Sequence, residues 1–385
     1  MHGESGQNAP AAGRREAGVR PGCDRARIDH LELTVLAFPL ERPFRAAIRF
    51  IESVDILLVK AHCGDGLVGC GYAFAFGAAD LAPILAAARG LCPLLVGQDA
   101  VKVERHSATM HRALALVGAG GPALAALSAI DIALWDVAAQ AAGLPLCDLL
   151  GGARDTIAVY GSGGSLQLGT DELVAEAIAF ARLAYPAYKF KLGADLAGNL
   201  ERVCAVRDAV GSSFKLIVDG NQQWSPKEAV RVAHALAPQD IWWLEEPVNA
   251  QDIKGCAEVR QAAPMNIATG ETNFGLGECA RLLRHRAADV LMPNLQRVGG
   301  ITGWRKVAAM AEILGVPMAS HVYAEIGVHL MCAVQHALTL EVVPWWPALF
   351  NEPLQIEDGM ARPPSRPGLG VTLNTGLVDA HRVHQ

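Results

Sequence analysis

The sequence predicts an α/β protein: a parallel β/α barrel in the second half of the chain, preceded by a separate α+β domain. Three observations carry that prediction. From Gly151 onward, short apolar runs alternate with amphipathic stretches at intervals of roughly 23–28 residues, the rhythm of strand and helix in a barrel. Nearly every one of those runs ends on a polar or ionisable residue, which a catalytic rim requires and an inert scaffold does not. Before Gly151 the order differs, strands first and helices afterwards, which marks an independent α+β unit.

Taken in order, residues 1–26 are rich in Gly, Ala, Arg and polar groups. Arg14-Arg15 is followed by no apolar segment, so this stretch reads as a disordered tail and not as an export signal. Residues 28–75 are strand-like: Leu31 to Leu36 alternates, Ile56-Leu57-Leu58-Val59 is a buried run, and Gly64-Asp65-Gly66 signals a turn between strands. Residues 81–142 are helical and Ala-rich. The segment 123–142 repeats its apolar residues on a helical period, encloses Asp131 and Asp136, and is stopped by Gly143-Leu144-Pro145. In the second half the strands are drawn to end near Tyr160, Lys191, Asp219, Glu245, Glu271, Asn294, His321 and Glu341. Helices are expected over 170–184, 199–210, 225–237, 276–286 and 301–314. A doubly wound open sheet is the competing arrangement, but it would usually carry a Gly-rich phosphate loop after its first strand. Gly161 to Ser165 is Gly-rich without that spacing.

Composition narrows the classes. A net charge of −6 leaves no electrostatic footprint for nucleic acid. No uninterrupted apolar stretch is read as a membrane span; the nearest, 79–97, is broken by Asp80, Pro83, Arg89 and Pro93. Nine cysteines without CxxC pairs suggest neither a disulfide framework nor a zinc site, and read as small core residues in a reducing cytoplasm.

The rim residues carry the chemistry. Asp219, Glu245 and Glu271 fall 26 residues apart, each closing an apolar run. Three parallel strands offering carboxylate oxygens at one rim suit a hard divalent cation, with room left for water and a bidentate substrate on six-coordinate Mg²⁺. Glu246 is turned away from the barrel interior by strand alternation and stands behind these ligands. Asn221, two residues past Asp219, is placed to orient the site or a ligand. Lys189 and Lys191 share a face of one strand. Their mutual repulsion and the cation predict lowered pKa values and a neutral lysine as base. His321 is a second candidate acid or base. Glu341 either hydrogen-bonds a substrate carboxylate in its protonated form or makes a simple salt bridge.

Together these elements resemble the mandelate racemase subgroup of the enolase superfamily. The matching pieces are Lys189-Phe-Lys191, Val218-Asp219-Gly-Asn221, Leu244-Glu245-Glu246-Pro247 and Thr269-Gly270-Glu271. Met292-Pro293-Asn294, Val298 to Trp304, Ser320-His321 and Leu340-Glu341 continue the series, and Ala129 to Asp136 with Leu149 to Gly152 resembles the family's entry to the barrel. The resemblance implies a modified (β/α)7β barrel over residues 151–345, closed by a capping domain built from 27–150 and 346–385. It also implies one Mg²⁺, a small-molecule carboxylate substrate whose neighbouring proton is removed, and a homo-oligomer. Glu at 271 and the lack of a lysine at the sixth strand end argue against the muconate-lactonizing subgroup.

One position departs from the pattern. The family usually has an Asp at 294, paired with the histidine at 321; here it is Asn294. An amide orients an imidazole but supplies no charge, and can select another tautomer. The expectation is therefore a one-sided site, with Lys191 abstracting the α-proton and Lys189 and Glu341 stabilising the enediolate beside the metal. His321 would protonate a departing 3-hydroxyl, turning an acid sugar (an aldonate or aldarate) into a 2-keto-3-deoxy acid. A 2-hydroxy-acid racemase and a barrel that binds metal and ligand without turnover are the alternatives. For substrate contacts, Arg42, Arg45 and Arg49 are placed to meet a distal carboxylate or to bridge on the surface. Tyr72, Phe74 and Phe76 alternate, either as a lid over the site or as packing between the domains.

Overall fold

The structure, a computed structural model, describes residues 26–345 and 349–383. Of the predicted tail, all but Ala26 lies outside the described residues. The first domain opens with three antiparallel strands in sequence order, β1 (Ile28–Arg45), β2 (Phe50–Cys63) and β3 (Val68–Ala75). The turn between β2 and β3 needs positive φ at Asp65 and Gly66, as the Gly-Asp-Gly signal requires. Helices α1 (Ala78–Leu91), α2 (Val103–Ala113) and α3 (Gly121–Ala142) follow, and the short α4 (Leu146–Leu149) leads out. Helix α3 lies flat on β3 because Gly69 and Gly71 carry no side chain there. A Cβ at either would collide with the carbonyl oxygen of Ala133 or Ala129.

Helix α3 also corrects an expectation. Its 22 residues are long and apolar enough to cross a membrane, but 89% of its most apolar window is buried inside the protein, as the core of this domain. Two buried carboxyls tie it down. Asp131 accepts from the backbone N–H of Thr302 at 2.9 Å and from its hydroxyl at 2.6 Å, and Asp136 accepts from the N–H groups of Cys70 and Leu369, both at 2.8 Å.

The second domain is a closed parallel barrel. Its strands are β4 (Ile157–Ser162), β5 (Ala187–Lys191), β6 (Lys215–Asp219), β7 (Ile241–Glu245), β8 (Asn266–Thr269), β9 (Val290–Leu291), β10 (Met318–Ala319) and β11 (Ala337–Val342). Seven helices connect them: α5 (Thr170–Arg182), α6 (Leu196–Val210), α7 (Pro226–Leu236), α8 (Ile253–Ala262), α9 (Gly275–Arg284), α10 (Gly300–Ile313) and α11 (Ala324–Cys332). Strand β11 pairs with β4 and closes the ring, giving (β/α)7β. Tyr160, Ala187, Ile217, Trp243, Ala268 and Ala319 fill the barrel as a packed plug beneath the rim. Strands β8, β9 and β10 stop two or three residues before their predicted ends. Gly270 at φ 124° breaks the extended run after β8, and Pro293 offers no N–H to continue β9. Glu271, Asn294 and His321 therefore sit on loops.

The C-terminal stretch serves both domains. Strands β12 (Gln355–Glu357) and β13 (Met360–Arg362) form a hairpin that adds antiparallel to β4, while α12 (Thr375–His381) packs on β1 and Val383 donates to Val35 O at 2.9 Å. We place the boundary between the domains near Gly151, with residues 349–383 touching both.

Candidate active site

Strand register builds the floor of the site. Lys191 pairs with Asp219 across β5 and β6, and Asp219 pairs with Glu245 across β6 and β7, so all three lie in one layer at the carboxyl ends. Glu271 arrives from the loop after β8. One oxygen from each of Asp219, Glu245 and Glu271 lies within 4.8 Å of the others, and all three residues are buried. Trp243 donates its indole N–H to Glu245 Oε2 at 3.1 Å and fixes that carboxylate from below. The backbone pays for this crowding with positive φ at Asn221, Gln222, Glu246, Val322 and Tyr323, each just past a rim residue.

Charge balance shows what the cluster needs. Five carboxyls (Asp219, Glu245, Glu246, Glu271 and Glu341) face two ammonium groups and the Arg297 guanidinium. Burial, with the neighbouring carboxylates, pushes Glu245 well above the usual carboxylate range, and Glu246 up to about 8. Hard oxygen donors short of positive charge fit a divalent cation, which Asp219, Glu245 and Glu271 are placed to hold.

The lysines depart from expectation. Burial favours the neutral form of both, but Glu245 and Glu341 outweigh it at Lys189, and Asp219 outweighs it at Lys191, so both pKa values rise. The prediction of lowered values counted the neighbouring ammonium and a bound cation; in the protein alone the facing carboxylates outweigh the ammonium. Lys189 is 2% exposed and lies under the site, paired with Glu245 and, at 2.7 Å, with Glu341. Glu341 also accepts from Val322 N–H at 2.7 Å. Burial opposes its ionisation, yet Lys189 and His321 hold it below the usual range, which favours the salt bridge of the two alternatives considered from sequence.

His321 faces Lys191 from the other side, its Nε2 3.0 Å from Glu271 Oε2. Its Nδ1 stands 2.7 Å from Asn294 Nδ2. The amide orientation is fixed by Gln296, whose backbone N–H donates to Asn294 Oδ1 at 3.0 Å. In that orientation the Asn294 amide turns its NH₂, and no anion, toward Nδ1.

Residues 30–151 match the model of the mandelate racemase / muconate lactonizing enzyme N-terminal domain, and residues 172–377 match the enolase C-terminal domain-like model. The chain belongs to the mandelate racemase / muconate lactonizing enzyme family of the enolase superfamily. It is 34% identical over 356 residues to an L-talarate/galactarate dehydratase of Salmonella typhimurium, an alignment covering 90% of this chain and 89% of that one. It is also 34% identical over 322 residues to a 3,6-anhydro-alpha-L-galactonate cycloisomerase of Streptomyces coelicolor, covering 83% and 89%. Among solved structures, the L-talarate dehydratase of Polaromonas sp. JS666, complexed with Mg and L-glucarate, superposes with a TM-score of 0.86 at 36% identity, covering 93% of this chain and 98% of that chain. The Salmonella typhimurium L-talarate/galactarate dehydratase gives 0.91 at 33%, covering 98% and 96%.

In this family member the cap closes over a cavity of about 220 Å³. Its polar floor includes Lys191, Asn221, Glu246, Glu271, Arg297 and His321, and its ceiling is Phe44, Ile48, Ile51, Phe74, Phe76 and Trp345. Asn294, Lys189 and Glu341 do not line it and act through His321 and the carboxylates. Glu246 lines it despite the alternation argument, because its positive φ swings the backbone, and Gln222 and Thr272 clamp its carboxyl.

The substrate residues inferred from the cap fare less well. Tyr72 is fully buried, stacked on Tyr323 and donating to Glu325 Oε2 at 3.3 Å, so it packs between domains. Arg45 is absent from the cavity lining, and its backbone pins the loop at Ser165 and Leu166. Arg49 reaches the cavity edge but is paired with Asp80, and Arg42 with Glu172. The guanidinium on the floor is Arg297, which sequence reasoning missed. Among the described residues it donates to neutral oxygens, Glu271 O at 2.7 Å and Thr272 Oγ1 at 3.3 Å. Trp243 was recoverable, since it lies two residues before Glu245 on the same strand face. Nothing local marked Arg297.

Proposed function

We propose that this protein dehydrates an acid sugar, an aldonate or aldarate, to a 2-keto-3-deoxy acid. The observation that carries the choice is the Gln296–Asn294–His321 chain of hydrogen bonds. It leaves His321 without an anionic partner at Nδ1, and an imidazolium that lacks such a partner gives up its Nε2 proton more readily. That suits protonation of a departing hydroxyl better than removal of a proton from the opposite face of a carbon. The relatives named as dehydratases and the L-glucarate bound to one of them support the same reading.

Asp219, Glu245 and Glu271 would hold Mg²⁺, which when bound supplies Lewis-acid stabilisation to the substrate carboxylate and takes up the negative charge that keeps the lysines protonated. Lys191 Nζ, 2.5 Å from Asp219 Oδ2, lines the cavity and, as the neutral amine, is the base for the proton at C2. His321, as the imidazolium, gives its Nε2 proton to the 3-hydroxyl, which departs as water and leaves a neutral imidazole; the enol left behind ketonises. Lys189 and Glu341 keep Glu245 in place from beneath. Asn221, whose buried Oδ1 has no partner within the protein, and Arg297 meet the hydroxyls or distal carboxylate of the substrate. The aromatic ceiling excludes water and strengthens each of these interactions.

The test is a screen of mono- and diacid sugars with Mg²⁺ for 2-keto acid formation. Rapid racemisation of a 2-hydroxy acid, with no acid sugar dehydrated, would sink the proposal. The aromatic ceiling is the one feature that favours that second reading, since it suits a less polar acid. Solvent deuterium appearing in both enantiomers would establish it. Two finer expectations accompany the proposal: a cytoplasmic location, in keeping with eight free thiols among the described residues, and a homo-oligomer, to be measured by light scattering.

A further inference from the structure

Beside the catalytic cavity lies a second cavity of about 350 Å³, walled by α1, the start of α3 and Phe274. Four residues line both spaces, Phe74, Phe76, Arg49 and Arg297, so the partition between them is made of rings and guanidinium groups. Each guanidinium lies against a ring: Arg49 is 5.2 Å from the centroid of Phe76, and Arg297 is 5.7 Å from that of Phe274.

The two arginines differ in what they have to spare. Arg49 pairs with Asp80 and donates to Phe76 O at 3.2 Å, so its charge is answered within the protein. Arg297 spends one nitrogen, Nη1, on the neutral oxygens of Glu271 O and Thr272 Oγ1. Its Nε and Nη2 have no acceptor among the described residues, and no carboxylate there pairs with it. Glu246, which shares the cavity lining, gives its carboxyl to Gln222 and Thr272. Nε and Nη2 form one edge of the guanidinium, the parallel pair of donors that fits two oxygens of a single anion. The bond from Nη1 to Glu271 O fixes the plane in which that edge lies.

A cation on a cavity wall that closes over its ligand needs a counter-charge, because shielding it from water without one is costly. The reacting carboxylate does not supply it, since that group is taken up at the metal triad beside Lys191. A monoacid therefore leaves Arg297 facing a hydroxyl, whereas a substrate charged at both ends answers it.

We propose that Arg297 is a specificity-determining residue that reads a second anion at the far end of the substrate, so that the site takes a dianionic acid sugar in preference to the monoacid. This names the substrate class of the reading above and rests on it for the place of the reacting carboxylate. The far anion is a carboxylate or a phosphate. Both offer paired oxygens, and the second cavity behind Arg297 gives the bulkier group room.

The experiment is calorimetric binding of matched acids to the full-length, Mg²⁺-loaded protein carrying Lys191→Met, which spares the ligands from turnover. Each hexaric acid is compared with the hexonic acid of the same configuration and with that acid's terminal phosphate ester. At least one dianion should bind about tenfold or more tightly than its monoacid, and the tighter of the two dianions identifies the anion. Adding Arg297→Met should weaken that dianion about tenfold or more and the monoacid less than about twofold. Arg297→Lys keeps the charge and loses the paired donors, so it should fall between, and it keeps the test open if Arg297→Met does not fold. Arg49→Met should cost the dianion less than Arg297→Met, because Asp80 already holds that guanidinium. Equal affinity for monoacid and dianion, or an equal loss of both in Arg297→Met, would overturn the inference. A preference that vanishes with Arg297, in a protein whose Lys191 form makes no 2-keto acid from any of these ligands, would uphold it and count against dehydration. Equal dehydration of monoacids and dianions would leave the reaction standing and overturn the role of Arg297.

Discussion

The two walls of the site are built on opposite principles. The Lys191 wall is borne by strands and works by charge: an ammonium in register with Asp219, with Lys189 beneath it and paired to Glu245 and Glu341. The His321 wall is borne by loops and works by neutral hydrogen bonds, from Gln296 to Asn294 to the imidazole. Charge in a low-dielectric pocket is strong but undirected, so it suits the wall beside which negative charge builds on the substrate. A chain of amides is weak but directional, so it suits a group that must present one particular hydrogen. The difference teaches that the two walls are asymmetric by construction, which in the proposed reaction puts a base on one face and a donor on the other.

Breaking the charged wall should have the largest effects. Stripping divalent metal with a chelator should abolish turnover, and added Mg²⁺ should restore it; retention of full activity in a metal-free protein would refute the assignment of Asp219, Glu245 and Glu271. Replacing Lys191 by Met should lower deuterium exchange at C2 by about 10²–10⁴-fold, read by proton NMR in D₂O. If Lys191→Met exchanged normally, the base would have to be sought elsewhere.

Converting the neutral wall into a charged one sharpens the comparison further. Asn294→Asp should give His321 an anionic acceptor at Nδ1 and free Nε2 as a base. Exchange from the second face should rise by about tenfold or more. Unchanged one-face exchange would mean that the amide does not set the asymmetry.

The smallest effect asks whether neutral bonding extends to the cap junction. Burial pushes Asp131 up to about 7 against the hydrogen bonds from Thr302. Between its unfolded value near 4 and that folded value, the folded state keeps a proton that the unfolded chain has released. Asp131 therefore costs stability as pH rises through this window and no more above it. Asp131→Asn should match the wild type near pH 4 and gain on it up to about pH 7, followed as the difference in Tm. A difference that stays constant with pH would show that Asp131 is ionised throughout.

The parts of the site written on strands were legible in the sequence, because a strand converts position directly into direction. Period 2 placed Lys189 and Lys191 on one face, and the ends of apolar runs located Asp219 and Glu245. What period 2 did not reveal is depth: of the two lysines, only Lys191 reaches the cavity, because Lys189 lies one layer down against the Tyr160 and Trp243 plug. Loop-borne parts were legible in identity but not in partnership. Asn294 stood out, yet its orientation depends on Gln296, and that residue on a cap strand more than two hundred residues earlier. The arginines failed for a related reason. Arg42 and Arg49 were near the right place, but Glu172 and Asp80 claim them, and no local pattern announces which guanidinium lacks a carboxylate.

Helix α3 carries a consequence for the living cell. It leaves the ribosome as 22 largely apolar residues whose anchors lie far downstream: Thr302 for Asp131 and Leu369 for Asp136. Until those residues are synthesised, the helix has only its own half-finished domain to shelter it. The cover of this apolar helix is thus completed only by segments that follow it by more than 170 residues, so its burial is among the late events in the folding of the chain.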